Sequence, residues 1–365
     1  MHDTPRPHFE FQANPAPVPA NERAAVLANP GFGKVFTDHM VVIRHSAERG
    51  WHDAKICPRG PIAMDPATAV LHYAQEIFEG LKAYRTPDGG AALFRPEANA
   101  RRFADSARRM AMAPLPESWF LESINALVEK DRDWIPDIEG GALYLRPFMF
   151  ASEVFLGVKP ASEYLYVVLA SPSGAYFKGD APAVTLWVSE HYTRAAPGGT
   201  GAAKCGGNYA ASLVAQAEAI DQGCDQVVFL DAAERKWVEE LGGMNIFFVF
   251  DDGSIATPPL TGSILPGITR DSLLTLARDL GLTAREEQYS LDQWKADAAN
   301  GRLREAFACG TAAVVTPIGK VRGRDFEFAI GNGGPGIVTG QLKQALVSIQ
   351  RGEAPDPHNW IQRLF

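Results

Sequence analysis

Four apolar runs rich in β-branched and aromatic residues dominate the first half of this chain: VFTDHMVVIR (35–44), AALFR (91–95), ALYLRPFMF (142–150) and YLYVVLA (164–170). Runs of this content and length read as strands. Between them, RRFADSARRMAM (101–112) and WFLESINALVEKDRDWI (119–135) repeat their apolar residues at the helical period instead. Several strands covered by few helices exclude a helical bundle. The order also lacks the strict strand–helix alternation of a doubly wound sheet. The expected class is mixed α/β, or α+β.

The second half is punctuated more clearly. NYAASLVAQAEAIDQG (208–223) is expected to form one helix, capped by Asn208, carrying Leu213, Ala217 and Ile220 on one face, and ending at Gly223. QVVFLD reads as a short strand, MNIFFVF–DDG–SIATP as strand, turn and strand, and ITRDSLLTLARDLG as a helix ending at Gly281. A chain of 365 residues suggests two domains. The Gly-, Pro- and Ser-rich SPSGAYFKGDAPA (171–183) is the best linker candidate. The expected division is an N-terminal arm (1–30), a small α/β domain (31–175), a linker (176–186) and a larger domain (187–365).

Composition narrows the function. With 35 Lys plus Arg against 43 Asp plus Glu, the net charge of −8 offers no footprint for nucleic acid or an anionic membrane. No apolar run approaches the roughly 18 residues of a membrane span. The polar, Pro-rich start lacks the apolar stretch of a signal peptide, so a soluble cytoplasmic protein is expected. Cys57, Cys205, Cys224 and Cys309 are far apart without CxxC spacing, which suggests neither a disulfide framework nor a metal site. GxxxxGK[ST], HExxH and GxSxG are absent, and GGTGAAKCGG lacks the GxGxxG spacing. A small-molecule enzyme is the leading class.

Lys204 is the most informative residue. From Ala195 to Ala217 it is the only charged side chain. A lysine on a Gly-rich turn ordinarily snorkels to water. Among glycines, alanines and a cysteine it can instead be desolvated, which lowers its pKa as an amine nucleophile requires. Glu240 precedes LGGMNIFFVF, a charge-free run, and so is expected at the entrance of a buried strand, with Glu239 facing solvent. A buried carboxylate needs a cation or an N–H donor. LPGITRDSLL offers backbone amides at a helix N-terminus, suited to phosphate, and CGTAAVV offers a hydroxyl among small residues. Arg95, Arg101 and Arg102 would ordinarily mark a solvated helix face.

Taken in order, LHYAQEIFEGLKAYR (71–85), LFRPEANARRF, ALYLRP (142–147), SGAYF (173–177), KCGGNYA (204–210), EELGGMNIF (239–247), LPGITR (265–270) and CGTAA (309–313) form a specific set. The chain resembles the branched-chain amino-acid aminotransferases, the class IV group of pyridoxal-phosphate enzymes, over about residues 30–360. That resemblance implies a two-domain class IV fold with pyridoxal 5'-phosphate between the domains. It further implies transfer of an amino group from leucine, isoleucine or valine to 2-oxoglutarate. A D-amino-acid aminotransferase or an aminodeoxychorismate lyase of the same fold is the enzymatic alternative. A catalytically silent binding protein would not explain Lys204, Tyr209 and Glu240 together.

Residue by residue, the resemblance makes Lys204 the lysine that binds the cofactor covalently and then moves the proton. Tyr209 matches the hydrogen-bond donor to the cofactor's phenolic oxygen, and Glu240 the acid at its ring nitrogen. Arg102, the amides of Ile268 and Thr269, and the Thr311 hydroxyl match the phosphate cup, with Arg194 lining the same region. Phe32, Tyr73, Phe78, Tyr144 and Tyr176 match an apolar substrate cage, and Ala312 the region receiving the α-carboxylate. Arg146 stands two residues beyond Tyr144 and so on the same strand face; an apolar cage must offer a cation to accept a carboxylate, and Arg146, helped by the Tyr73 hydroxyl, is expected to receive the side-chain carboxylate of glutamate or 2-oxoglutarate. Leu156, Val158 and Tyr73 match residues supplied by a second subunit of a homodimer. Gly243 departs from the pattern, since many relatives carry Thr there. Lys204→Ala is expected to abolish the visible absorption band of the bound cofactor and essentially all turnover, while the far-UV circular dichroism of a folded protein survives. Substantial transaminase activity in the purified variant would contradict the assignment.

Overall fold

The computed structural model describes residues 7–174 and 183–365. Tyr176 and most of the expected linker lie outside the described residues. The chain forms two compact units. The first holds the described residues up to 174, with Ala203–Gly206 and Ile349–Phe365; the second holds 183–202 and Gly207–Ser348. A single cut at 176–186 therefore does not divide the chain, because two later segments return to the first unit. The expected linker also overlaps strand Val184–Ser189, and strand Tyr164–Ser173 takes up residues counted as linker at 171–173.

The first unit is built on a nine-stranded sheet. Its strands lie in the order Glu10–Phe11, Gly50–Pro58, His39–Ser46, Tyr164–Ser173, Ala142–Ala151, Leu81–Arg85, Ala91–Phe94 and Ile361–Arg363, with short strand Glu76–Phe78 also on Ala142–Ala151. All pairings are antiparallel except that of Glu10–Phe11, so the expected N-terminal arm contributes an edge strand and a helix, Ala20–Ala28. Alternation along Ala142–Ala151 decides the two faces. Leu143, Leu145 and Met149 enter a core with Phe103 of helix Pro96–Arg109 and Phe120, Ile124 and Leu127 of helix Glu117–Lys130. Tyr144, Arg146, Phe148 and Phe150 point the other way.

The second unit also has a nine-stranded sheet, of mixed direction. Val184–Ser189 runs parallel to both Gln226–Leu230 and Val314–Arg322, whereas Leu303–Gly310 is antiparallel to Val314–Arg322 and to Asn245–Phe250. Helix Ile268–Asp279 buries Leu273, Leu274, Leu276 and Ala277. The expected helix over 208–223 is corrected in three ways. It is two helices, Gly206–Ala210 and Leu213–Asp221. Asn208 does not cap it but lies inside the first helix, exchanging hydrogen bonds with Thr200. The buried face is Ala215 and Ala219, leaving Leu213 67% and Ile220 63% exposed and Ala217 exposed as well. Only small side chains fit where this helix packs on Val227, Phe229 and Cys224. Among the described residues no helix is long and apolar enough to cross a membrane. No group of three or more His, Cys, Asp or Glu side chains could hold a metal there either.

Candidate active site

In the first unit the segment carrying Lys204 is fastened to strand Glu76–Phe78. The Phe78 amide donates to the Lys204 carbonyl at 2.9 Å, the Gly206 amide donates to the Glu76 carboxylate, and the Lys204 amide donates to Ser106 Oγ at 3.0 Å. A Cβ on Gly206 would stand 2.1 Å from Glu76 Oε1, so any larger residue there would displace the Glu76 carboxylate. Lys204 Nζ lies 4.8 Å from the centre of the Phe78 ring. The guanidinium of Arg146 lies 4.8 Å from the same ring and 5.4 Å from that of Tyr144. One aromatic ring thus meets two cations, each attracted by its π-face. Arg146 donates to the Tyr144 hydroxyl at 3.1 Å, while its Nε is buried without a hydrogen-bond partner. Phe32 meets the Tyr144 ring edge-on at 5.1 Å.

Arg102 is corrected from a solvated helix face to a buried residue. Its Nε and Nη2 donate to the two carboxylate oxygens of fully buried Glu79, at 2.7 and 2.9 Å, and Asn99 adds a third donor at 2.7 Å. Burial alone would push the Glu79 carboxyl up. The Arg102 guanidinium and its hydrogen bonds, the Lys204 charge and Asn99 outweigh it and hold Glu79 below the usual carboxylate value. Within this chain the Tyr73 hydroxyl donates to the Leu156 carbonyl and its ring stacks on Phe155, and Tyr144 is the hydroxyl that Arg146 meets. Leu156 and Val158 are 66% and 91% exposed.

The second unit holds the remaining residues. Glu240 lies on its own short strand, Val238–Leu241, rather than at the mouth of Asn245–Phe250. Its carboxylate pairs with Arg194 at 2.8 Å and accepts from the Leu265 amide at 2.8 Å. Arg194 further donates to the Ser263 carbonyl at 3.0 Å and keeps its Nε buried without a partner. Glu239 does not face solvent: it is buried, and accepts from Ser263 Oγ. Burial raises its carboxyl above the ordinary value. Helix Ile268–Asp279 starts at Gly267, which offers its first-turn amides at Ile268 and Thr269 no capping side chain. Asn245 donates to the Leu265 carbonyl at 3.1 Å, and a Cβ on Gly267 would come within 2.0 Å of the Asn245 amide oxygen. Thr311 and Ala312 occupy the turn between Leu303–Gly310 and Val314–Arg322. A Cβ on Gly243 would stand 3.4 Å from the Tyr209 ring, an ordinary contact distance.

Sequence reasoning alone misses Glu76, Glu79, Asn99, Ser106 and Asn245. A signal for the first two is present in QEIFEGL, where two acids interrupt an apolar strand.

The chain matches the family described as amino-transferase class IV over residues 76–321. The chain belongs to the class IV aminotransferases. It is 59% identical over 360 residues to a probable branched-chain-amino-acid aminotransferase of Streptomyces coelicolor, covering 98% of this chain and 99% of that one. It is 55% identical over 360 residues to the branched-chain-amino-acid aminotransferase of Mycolicibacterium smegmatis, covering 98% of each. The T.th. branched-chain amino acid aminotransferase complexed with N-(5'-phosphopyridoxyl)-L-glutamate aligns with a TM-score of 0.72 at 28% identity, over 89% of this chain and 98% of that one.

Removing one partner of a buried ion pair leaves the other charge uncompensated. Glu79→Gln is expected to lower stability at pH 7 by about 3–5 kcal/mol, read from the urea midpoint. Because folding holds the Glu79 carboxyl below its unfolded value, its contribution is present above that value and fades as pH falls through the folded one. The gap between variant and parent therefore narrows in acid.

Proposed function

We propose that this class IV aminotransferase uses pyridoxal 5'-phosphate to transfer the amino group of leucine, isoleucine or valine to 2-oxoglutarate, giving glutamate and the branched-chain 2-oxo acid. The family match, the near-full-length relatives and the neighbour's phosphopyridoxyl-glutamate complex support this reading. The residues present also fit such a cofactor. Arg194 carries a buried Nε still lacking an acceptor, and the uncapped start of helix Ile268–Asp279 suits a phosphate. Bound pyridoxal phosphate supplies an electron sink conjugated to the substrate's Cα.

The chain's own groups take the remaining roles. Lys204 is the catalytic residue: its amine attaches the cofactor and afterwards takes and returns the Cα proton. Glu240 holds a proton at the pyridine nitrogen, and Tyr209 donates to the phenolic oxygen. Arg102, Arg194, Ile268, Thr269 and Thr311 bind phosphate, and Ala312 orients the α-carboxylate. Phe32, Phe78, Tyr144 and Tyr176 exclude water around the side chain. A second copy of the chain supplies Tyr73, Leu156 and Val158 in a cytoplasmic homodimer; the exposure of Leu156 and Val158 supports this.

One observation carries the substrate assignment. Arg146 sits over the Phe78 ring with a buried, unpartnered Nε, so an apolar wall and an unsatisfied cation share one place. Leucine can lie on the wall, and the glutamate side chain can reach the cation. A hydrogen bond to a charged group contributes about 1.5–3 kcal/mol, roughly ten- to a hundredfold in rate. Arg146→Met should slow the glutamate half-reaction by about that factor while the leucine half-reaction changes only a few-fold. Equal losses for both amino acids would assign Arg146 to the scaffold, and reaction with D-leucine in preference to L-leucine would overturn the substrate class.

A further inference from the structure

Glu76 is an acidic residue that the proposed function does not use. It stands on the same strand face as Phe78, two residues away, and opposite Phe150. Tyr144 and Arg146 lie on that face of Ala142–Ala151, and Lys82 of strand Leu81–Arg85 stands opposite Tyr144. The Glu76 carboxylate accepts from the Gly206 amide, two residues beyond Lys204, and Gly206 is the residue that permits this approach. Helix Pro96–Arg109 also packs on this strand, but its buried cation, Arg102, is taken by Glu79. The charge facing Glu76 is thus Arg146, while Lys82 stands further along the same face opposite Tyr144 and Glu79 is neutralised by Arg102.

We propose that Glu76 is a specificity-determining residue that makes acceptance of the dicarboxylic amino acid depend on its own proton. The proposal rests on Arg146 receiving the side-chain carboxylate of glutamate. An ionised Glu76 already offsets part of the Arg146 charge, so a second carboxylate enters against like charge in a poorly solvated place. A protonated Glu76 leaves the full Arg146 charge to the substrate. Leucine brings no second charge and is indifferent to the difference. Burial raises the Glu76 carboxyl above its ordinary value, against the lowering effect of the Gly206 amide and Arg146, which moves its titration toward neutral pH. Bound glutamate raises it further, so glutamate binding takes up protons.

The test compares the two half-reactions of the holoenzyme from pH 5 to 8, as the ratio of the glutamate to the leucine rate constant under subsaturating substrate. Effects common to both amino acids cancel in this ratio. In the parent enzyme the ratio should fall roughly tenfold as pH rises through the Glu76 titration, about the effect of one nearby like charge. In Glu76→Gln, whose amide oxygen still accepts from Gly206, the change should shrink to below about threefold. Lys82, whose ammonium burial lowers to about 8, contributes a separate step at the alkaline end that the variant retains. Calorimetry in two buffers of different ionisation enthalpy gives an activity-independent readout. Measured across pH 5 to 8, binding glutarate should take up more protons than binding 4-methylvalerate in the parent, and the difference should vanish in Glu76→Gln. Superimposable ratio profiles, or equal proton uptake for the two acids in the parent, overturn the proposal even where Arg146→Met loses glutamate selectively. Equal losses of both half-reactions in Arg146→Met overturn it together with the reading on which it rests.

Discussion

The attachment of the Lys204 segment to strand Glu76–Phe78 is the constraint on which the first unit's chemistry depends. These residues are separated by more than a hundred positions in the chain, yet two backbone amides, of Phe78 and Gly206, bind them into one edge. The Phe78 amide turns away from strand Ala142–Ala151 to reach the Lys204 carbonyl, while the Glu79 amide returns to the Pro147 carbonyl of that strand. Glu79, the next residue, turns into the interior to meet Arg102. The short strand, the left-over edge and the buried ion pair are therefore one solution to one problem. A lysine must be held firmly by its backbone while its amine remains able to move.

Phe78 then links that lysine to the face of the sheet that carries Tyr144 and Arg146. A ring lying against both Lys204 and Arg146 is apolar toward a hydrocarbon and mildly attractive toward cations. It keeps two like charges in place without donating a competing anion. A carboxylate in the same position would neutralise both and leave nothing for an incoming acid. Tyr144 completes the arrangement, giving Arg146 one neutral hydrogen bond, and Gly80 makes it possible, since a Cβ there would fall 2.2 Å from the Tyr144 hydroxyl. The glycine of the IFEGL run is thus needed for close approach, not for a turn.

Much of this is legible in the sequence. The strands around ALYLRPFMF and YLYVVLA and the helices of the first unit are set by hydrophobic period, because one face of each is buried against a single contiguous core. Lys204 stands out as a lone charge in a small-residue run. The helix after it misleads because Leu213 and Ile220 are larger than Ala215 and Ala219, and size reads as depth. Where a helix lies close on a sheet, volume limits matter more than transfer free energy, and alanine goes inside. The return of Ile361–Arg363 to the first sheet has no local signal at all, since its pairing with Ala91–Phe94 is fixed only by tertiary contact. Glu239 is hidden for a related reason, since burial of a carboxylate depends on a distant partner that periodicity does not reveal, whereas Glu76 and Glu79 are visible as acids that interrupt an apolar run.

The two buried arginines assigned to phosphate show how such partners shape a site. Arg102 is matched by Glu79 and Arg194 by Glu240, and both pairs are almost wholly removed from solvent. An unpaired guanidinium in either place would destabilise the fold by several kcal/mol. With each cation already balanced, the protein can keep rigid, desolvated donors in position before any anion arrives. The arrangement also limits what can bind. An anion reaching the second unit would meet no net positive charge from the Arg194–Glu240 pair, leaving directed donors such as the Arg194 Nε and the first-turn amides of helix Ile268–Asp279 to recognise it. Geometry rather than bulk attraction then selects the ligand, which fits a chain whose net charge of −8 repels anions at long range.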